Sequence, residues 1–208
     1  MAGLILVVAT DAAAEADFTF AGRVGVSIPY GDAFKTGTGS SVSVAENSLV
    51  SVPLQLDAGV TLAHRYFIGA YGQYRFGILK SGVCPEGFSC SETGARAGLQ
   101  FQYSFTAAKE GLGAWMGLGS GWEWMFSKGS SAALSATVTL GGWEFAILQV
   151  GFDAWLTRAM RMGYYISGSV GQYSRASVSD ESGSLSGVIP DKGLHYWIEM
   201  GFKTTFEL

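Results

Sequence analysis

An all-β fold, a closed eight-stranded antiparallel up-and-down transmembrane β-barrel, is predicted by three features of this 208-residue sequence. Apolar residues recur at every second position through eight segments, and the connectors between them alternate long and short. The residues opposite each apolar set are sparse in charge, mixed in sign and diluted with glycine. Glycine supplies 30 residues, twice the usual frequency of about 7%. Charged residues make up 14%, well under the ~25% of a soluble domain. An apolar fraction of 48% excludes intrinsic disorder. No apolar run approaches the ~18 residues of a membrane-crossing helix. A net charge of −4 leaves no footprint for nucleic acid.

Residues 1–16, MAGLILVVATDAAAEA, are expected to be a signal peptide. Residues 3–9 form a short apolar stretch and Ala14-Glu15-Ala16 is a small-residue cleavage site, although a basic start is missing. Residues 17–208 then form one barrel domain, exported through the periplasm.

Side chains alternate faces along a strand, so a strand between two environments shows period two. In 18–30, Phe18, Phe20, Val24, Val26, Ile28 and Tyr30 alternate with Thr19, Arg23, Ser27 and Pro29. In 49–62, Val50, Val52, Leu54, Leu56, Val60 and Leu62 alternate with Ser51, Gln55, Asp57 and Thr61. The pattern returns in 66–78, 92–105, 112–126, 146–156, more weakly in 162–171, and clearly in 194–208. Connectors fall at 31–48, 63–65, 80–91, 106–111, 127–142, 157–161 and 175–193. Short turns at one end and long loops at the other are the layout of an up-and-down membrane barrel, with both termini at the short-turn end. An even strand number closes the sheet and leaves no unpaired edge in lipid. Leu134, Ala136, Val138 and Leu140 also alternate, as an extension of the sixth strand or as an outer hairpin, with Gly141-Gly142 as a bulge. Pro53 has no N–H for the ladder, so a bulge is expected near the outer rim.

Alternation alone fits a soluble lipocalin-like barrel with its apolar face inward. Glycine dilution and mixed charge on the polar face favour the opposite orientation, because glycine on a solvated face weakens strands without gain. Aromatics also sort by strand end. Phe18, Phe20, Tyr66, Phe105, Tyr164 and Phe206 lie near the short turns. Tyr30, Phe76, Trp122, Trp124, Phe126, Tyr173 and Tyr196 lie near the long loops, giving two interfacial girdles.

The two cysteines, Cys84 and Cys90 in CPEGFSC, can close a small loop in which Pro85 and Gly87 supply turn chemistry. A disulfide is expected, in keeping with an oxidising compartment, with two free thiols as the alternative. Two ligands without a His or Cys partner make a poor zinc site.

On these features the chain resembles the small eight-stranded outer-membrane β-barrel proteins of Gram-negative bacteria, of the OmpA membrane-domain and OmpX shape. The final strand carries the sharper likeness: alternating aromatics with Phe202, Phe206 and terminal Leu208 look like the signal read by the barrel-assembly machinery, where the usual last residue is phenylalanine. Gly142-Trp143-Glu144-Phe145, Leu148-Gln149 and Gly151-Phe152-Asp153 are similar to uncharacterised barrels of this kind. The resemblance implies an outer-membrane location, lipid around the barrel, and little about activity.

An enzyme acting on lipid needs a nucleophile system. No G-x-S-x-G elbow or His-x-Ser pair occurs. His64 falls in a short turn, and His195 faces inward near the outer rim within reach of Glu123 or Glu199. No catalytic residue, metal or cofactor is expected. The inward charges form the main constellation: Arg23, Asp57, Arg75, Arg96, Glu123, Asp153, His195 and Glu199, with Glu92 and Lys203. Eight strands leave a bore just wide enough for side chains to fill, and unpaired buried charge is costly, so a polar plug is expected. A narrow small-solute passage, with Gly113, Gly117, Gly119 and Gly121 clearing one wall, is the alternative; a lipid-modifying enzyme is the third. The expected protein is monomeric and non-enzymatic, with loops for structural or interaction roles.

Overall fold

The computed structural model describes residues 16–35, 40–131 and 134–208. The expected signal peptide lies outside them, except for Ala16, which begins the first strand. The described elements are, in order, β1 (Ala16–Lys35), β2 (Ser41–Ser43), α1 (Val44–Asn47), β3 (Ser48–Leu62), β4 (Tyr66–Leu79), β5 (Ser89–Ser104), β6 (Leu112–Ser130), β7 (Ser135–Trp155), β8 (Met160–Asp180), β9 (Gly183–Val188) and β10 (His195–Glu207).

Eight strands form a closed antiparallel ring in the order β1-β3-β4-β5-β6-β7-β8-β10. The last pairs back onto the first from Thr19↔Glu207 to Gly31↔His195. β2 and β9 stand outside the ring, on the outer ends of β1 and β8. The tightest turn, 63–65, carries two consecutive left-handed residues, Ala63 at φ 49° and His64 at φ 52°. That backbone twist matches the strands it joins.

Face parity follows the sequence. Leu56, Leu99 and Leu112 are 74%, 71% and 75% exposed, while Arg23, Arg75, Arg96 and Glu123 are at most 5% exposed. The apolar set is therefore outside and the polar set inside, which excludes the lipocalin-like arrangement. An apolar surface this continuous is not sustained in water. Outward aromatics cluster toward both strand ends, as in the Tyr66–Tyr103 pair at one end and the Trp122–Trp143 pair at the other. Tyr173 departs from the expected girdle. It sits on the odd, inward parity of β8 and is fully buried.

The connectors expected at 127–142 and 175–193 are mostly strand. β6 and β7 continue until only 131–134 separate them, and β8 turns directly into β9. Val138 faces Val178, and Val178 faces Leu185, so alternating apolar residues extend the ladder beyond the ring. At ~3.3 Å per residue a 21-residue strand runs about 70 Å, whereas a tilted crossing takes ~9–11 residues. The outer halves of β6, β7 and β8 therefore project. A register shift does lie at Gly141/Gly142, but its extra residue is Ser174 of β8 and Gly141-Gly142 stays in register with β6, so the expected glycine bulge is not on β7 there; the bulge of β7 lies between Glu144 and Ala146.

Pro53 makes no bulge: it lies in register opposite Arg75. The cost falls on the other ladder, where β1–β3 pairing lapses between Val24↔Leu54 and Ser27↔Ser51, as a missing N–H requires. The β3–β4 irregularity lies instead at Ser48/Val50.

The long-hairpin end is closed by an apolar cap. Ala33, Val44 of α1 and Ile189 fold over inward-facing Met125, Leu140, Tyr173 and Trp197. α1 is held in place by Ser43, whose Oγ accepts from the Ala45 N–H at 3.2 Å and donates to the Gly31 carbonyl at 2.9 Å. A Cys84–Cys90 disulfide with Cα atoms 5.7 Å apart staples the β4–β5 loop.

Candidate functional site

The interior is a column of polar ties stacked along the bore. Nearest the cap, Arg75 donates to Glu123 Oε1 at 2.8 Å, with its guanidinium 3.6 Å from the centre of the Trp197 ring. The same carboxylate oxygen accepts from Trp197 Nε1 at 3.3 Å and from the Tyr173 hydroxyl. His195 stacks on Tyr173 with ring centres 4.1 Å apart, its Nε2 3.5 Å from Glu123 Oε1. Of the two expected acidic neighbours, His195 meets Glu123.

At mid-height Arg96 of β5 binds Glu144 of β7 and Glu199 of β10, and its Nε donates to Gln73 Oε1 at 2.7 Å. β5 and β10 lie on opposite sides of the eight-strand ring, so this one side chain spans the bore. Gln73 also donates to Glu199 and to Gln55, and the Tyr71 hydroxyl to Glu144 at 3.1 Å.

One layer below, Arg23 donates through Nε to Asp57 at 2.8 Å, through Nη1 to Gln149 at 2.6 Å and through Nη2 to Gln100 at 3.1 Å. Lys203 crosses from β10 to Gln102 of β5 at 2.6 Å, with its ammonium 4.0 Å from the Trp115 ring centre. Trp115 donates to Asp153 at 3.0 Å. The crevice bounded by Thr19, Ala21, Asp57, Phe67, Gln102, Arg161, Lys203 and Thr205 has no room for a water-sized sphere.

Seven of the eight interior residues named from sequence thus fall into three groups: Arg75, Glu123 and His195; Arg96 and Glu199; Arg23 and Asp57. Asp153 stands with Trp115 and Arg161 instead. Sequence reasoning missed Glu144, because the register shift between Glu144 and Ala146 reverses the parity that holds in the rest of the strand toward Trp155. It also left out Gln55, Gln73, Gln100, Gln102 and Gln149, although an amide at an inward position between apolar neighbours is itself a signal of a buried network.

At the short-turn rim Asp17, His64 and Glu207 place ligand-type atoms within 4.8 Å of one another. Lys109 holds that position: its ammonium is 2.6 Å from Asp17 Oδ2 and 3.5 Å from Glu207 Oε2. His64 Nδ1 lies 3.0 Å from Asp17 Oδ2. The trio thus already faces an internal cation, the Lys109 ammonium. The neighbouring ammonium holds the Asp17 carboxyl below the usual carboxylate range.

Phe202 and Phe206 are outward on β10, and Leu208 follows its last residue with its N–H bonded to the Phe18 carbonyl at 2.8 Å. The C-terminal residues are thereby laid against β1 at the closing seam.

No protein-family model matches the chain. No curated protein matches it in sequence. Solved structures do match in fold. A major outer membrane protein from Thermus thermophilus aligns at TM-score 0.58 and 10% identity, over 93% of this chain and 100% of that one. OprG from Pseudomonas aeruginosa aligns at 0.56 and 16%, over 91% and 95%. Neisserial surface protein A aligns at 0.54 and 10%, over 93% and 99%. The chain has the fold of the small eight-stranded outer-membrane β-barrels.

Proposed function

We propose that this chain is a closed, non-enzymatic barrel of the outer membrane, whose interior is a structural plug and whose working surface is the projecting hairpins. One observation carries the reading: Arg96 crosses the bore to Glu199 on the opposite strand while also binding Glu144. The apolar cap over Met125, Leu140 and Trp197 supports closure at the hairpin end. His195 is 1% exposed beneath that cap and stacked on Tyr173, which supports a packing role over catalysis. The outward apolar belt and the shared fold support a membrane setting, with lipid as partner and the hairpins on the outer side. Phe202, Phe206 and Leu208, at the seam with β1, suit the assembly signal that the resemblance implies.

Conductance in planar bilayers tests the reading. The unmodified chain is expected to give no stepwise current. Ohmic steps reproduced across independent preparations would overturn closure in favour of solute passage.

A further inference from the structure

On the outward face of β6, β7, β8 and β9 lies a cleft of ≈ 850 Å³. Register builds it. Trp124 faces Gly141, Gly141 faces Arg175 and Arg175 faces Val188, so one row crosses four strands. The next row sets Thr139 beside Ser177 and Ser177 beside Ser186. Gly141 brings no side chain, which leaves the floor open between the indoles and the guanidinium. A Cβ there would meet only ordinary contacts, 3.5 Å from Trp122 Nε1 and 3.6 Å from Trp124 Cδ1.

Three facts point to an occupant. Trp122 lies 6.4 Å from Trp124 and 5.4 Å from Trp143 between ring centres, and such a cluster marks the height of lipid headgroups. Arg175 is exposed, and its guanidinium has no hydrogen-bond or ion-pair partner among the described residues. Among the described residues no carboxylate lines the cleft: its polar side chains are one guanidinium, two indoles and three hydroxyls. A cationic set without a carboxylate selects an acceptor-rich anion, and the arginine fork fits phosphate oxygens two at a time. The volume exceeds that of a bare phosphate, and two outward tryptophans, Trp122 and Trp124, form one wall.

We propose, resting on the outer-membrane barrel reading, that this cleft binds the phosphate-bearing headgroup of a lipid in the surrounding leaflet. The full chain, folded in a non-ionic detergent, is titrated with a diphosphorylated glucosamine lipid while tryptophan emission is followed. The same lipid with its phosphates removed, and inorganic phosphate, are run in parallel. Saturable binding is expected, about tenfold weaker for the dephosphorylated lipid and for Arg175→Gln, the loss of roughly one charge-assisted contact. Gly141→Leu, which fills the floor, should weaken it similarly.

Equal affinity for both lipids, or an unchanged Arg175→Gln, overturns the proposal. So does inorganic phosphate binding as tightly as the lipid, which makes the cleft a free-anion site. Folding is read separately from the mobility of unboiled and boiled samples on a denaturing gel. A chain that shows the barrel's heat-dependent shift but binds without regard to phosphate defeats only the lipid site. A chain that is monodisperse without detergent defeats the barrel reading, and the lipid site with it.

Discussion

Arg96 is the residue on which the interior depends most. Its guanidinium bridges two carboxylates, Glu144 at 0% and Glu199 at 4% exposure. Removing one partner of a buried pair leaves a stranded charge and costs about 3–5 kcal/mol, whereas replacing all partners by neutral groups costs far less. Arg96→Ala should therefore lower stability by about that amount in urea unfolding of the detergent-folded chain. Combining Arg96→Met with Glu144→Gln and Glu199→Gln should recover most of the loss. A midpoint unmoved by Arg96→Ala would show that the carboxylates do not rely on it. Arg96 and Glu199 were legible, since plain alternation turns both inward. Glu144 was not, because reading its face requires knowing that β7 carries an extra residue between it and Ala146.

At the scale of the strand, glycine divides into two roles that a single sequence cannot separate. Inward Gly94 and Gly151 make room for side chains: an added Cβ would lie 2.4 Å from Arg75 Nε and 2.6 Å from the Trp115 ring. Gly25 and Gly201, by contrast, face each other across the β1–β10 seam. A Cβ on Gly201 would come 2.1 Å from the Val24 carbonyl oxygen and 2.6 Å from the Gly25 Cα. Backbone cannot swing aside as a side chain can, so these positions let the sheet bend enough to close. Gly59↔Gly69 and Gly98↔Gly121 repeat the arrangement on two other ladders. Gly201→Ala should sharply reduce the fraction running as a compact unboiled band, while outward Gly22→Ala, which meets nothing within 4 Å, should leave it intact. Equal yields of compact band would remove the close approach as the reason for glycine. Clearance for long side chains was readable from inward parity. Facing pairs were not, because they exist only once register is set.

The whole molecule inverts the soluble pattern, with apolar residues outside and polar ties inside, and it is sealed differently at its two ends. The hairpin end has the apolar cap; the short-turn end has charge. There Asp17 of β1, His64 of the β3–β4 turn, Lys109 of the β5–β6 turn, Arg161 of β8 and Glu207 of β10 converge. This rim gathers the first and last strands with two turns between them, so its titration bears on closure itself. Asp17 has its pKa lowered, chiefly by its hydrogen bond to Lys109. Its contribution is therefore full above the ordinary carboxylate value of about 4 and lost as pH falls through the lower folded value. Partial burial pulls the Lys109 ammonium down, but bonding to Asp17 and the charge of Glu207 carry it above its ordinary value. Its contribution holds below about 10.4 and fades as pH rises through the higher folded value. Between those limits the pair should contribute a flat plateau. Urea midpoints measured down a pH series should drop below about pH 4, and both Asp17→Asn and Lys109→Met should flatten part of that drop. An acid limb identical in the two variants and the unmodified chain would place the acid sensitivity in the interior carboxylates instead of the rim.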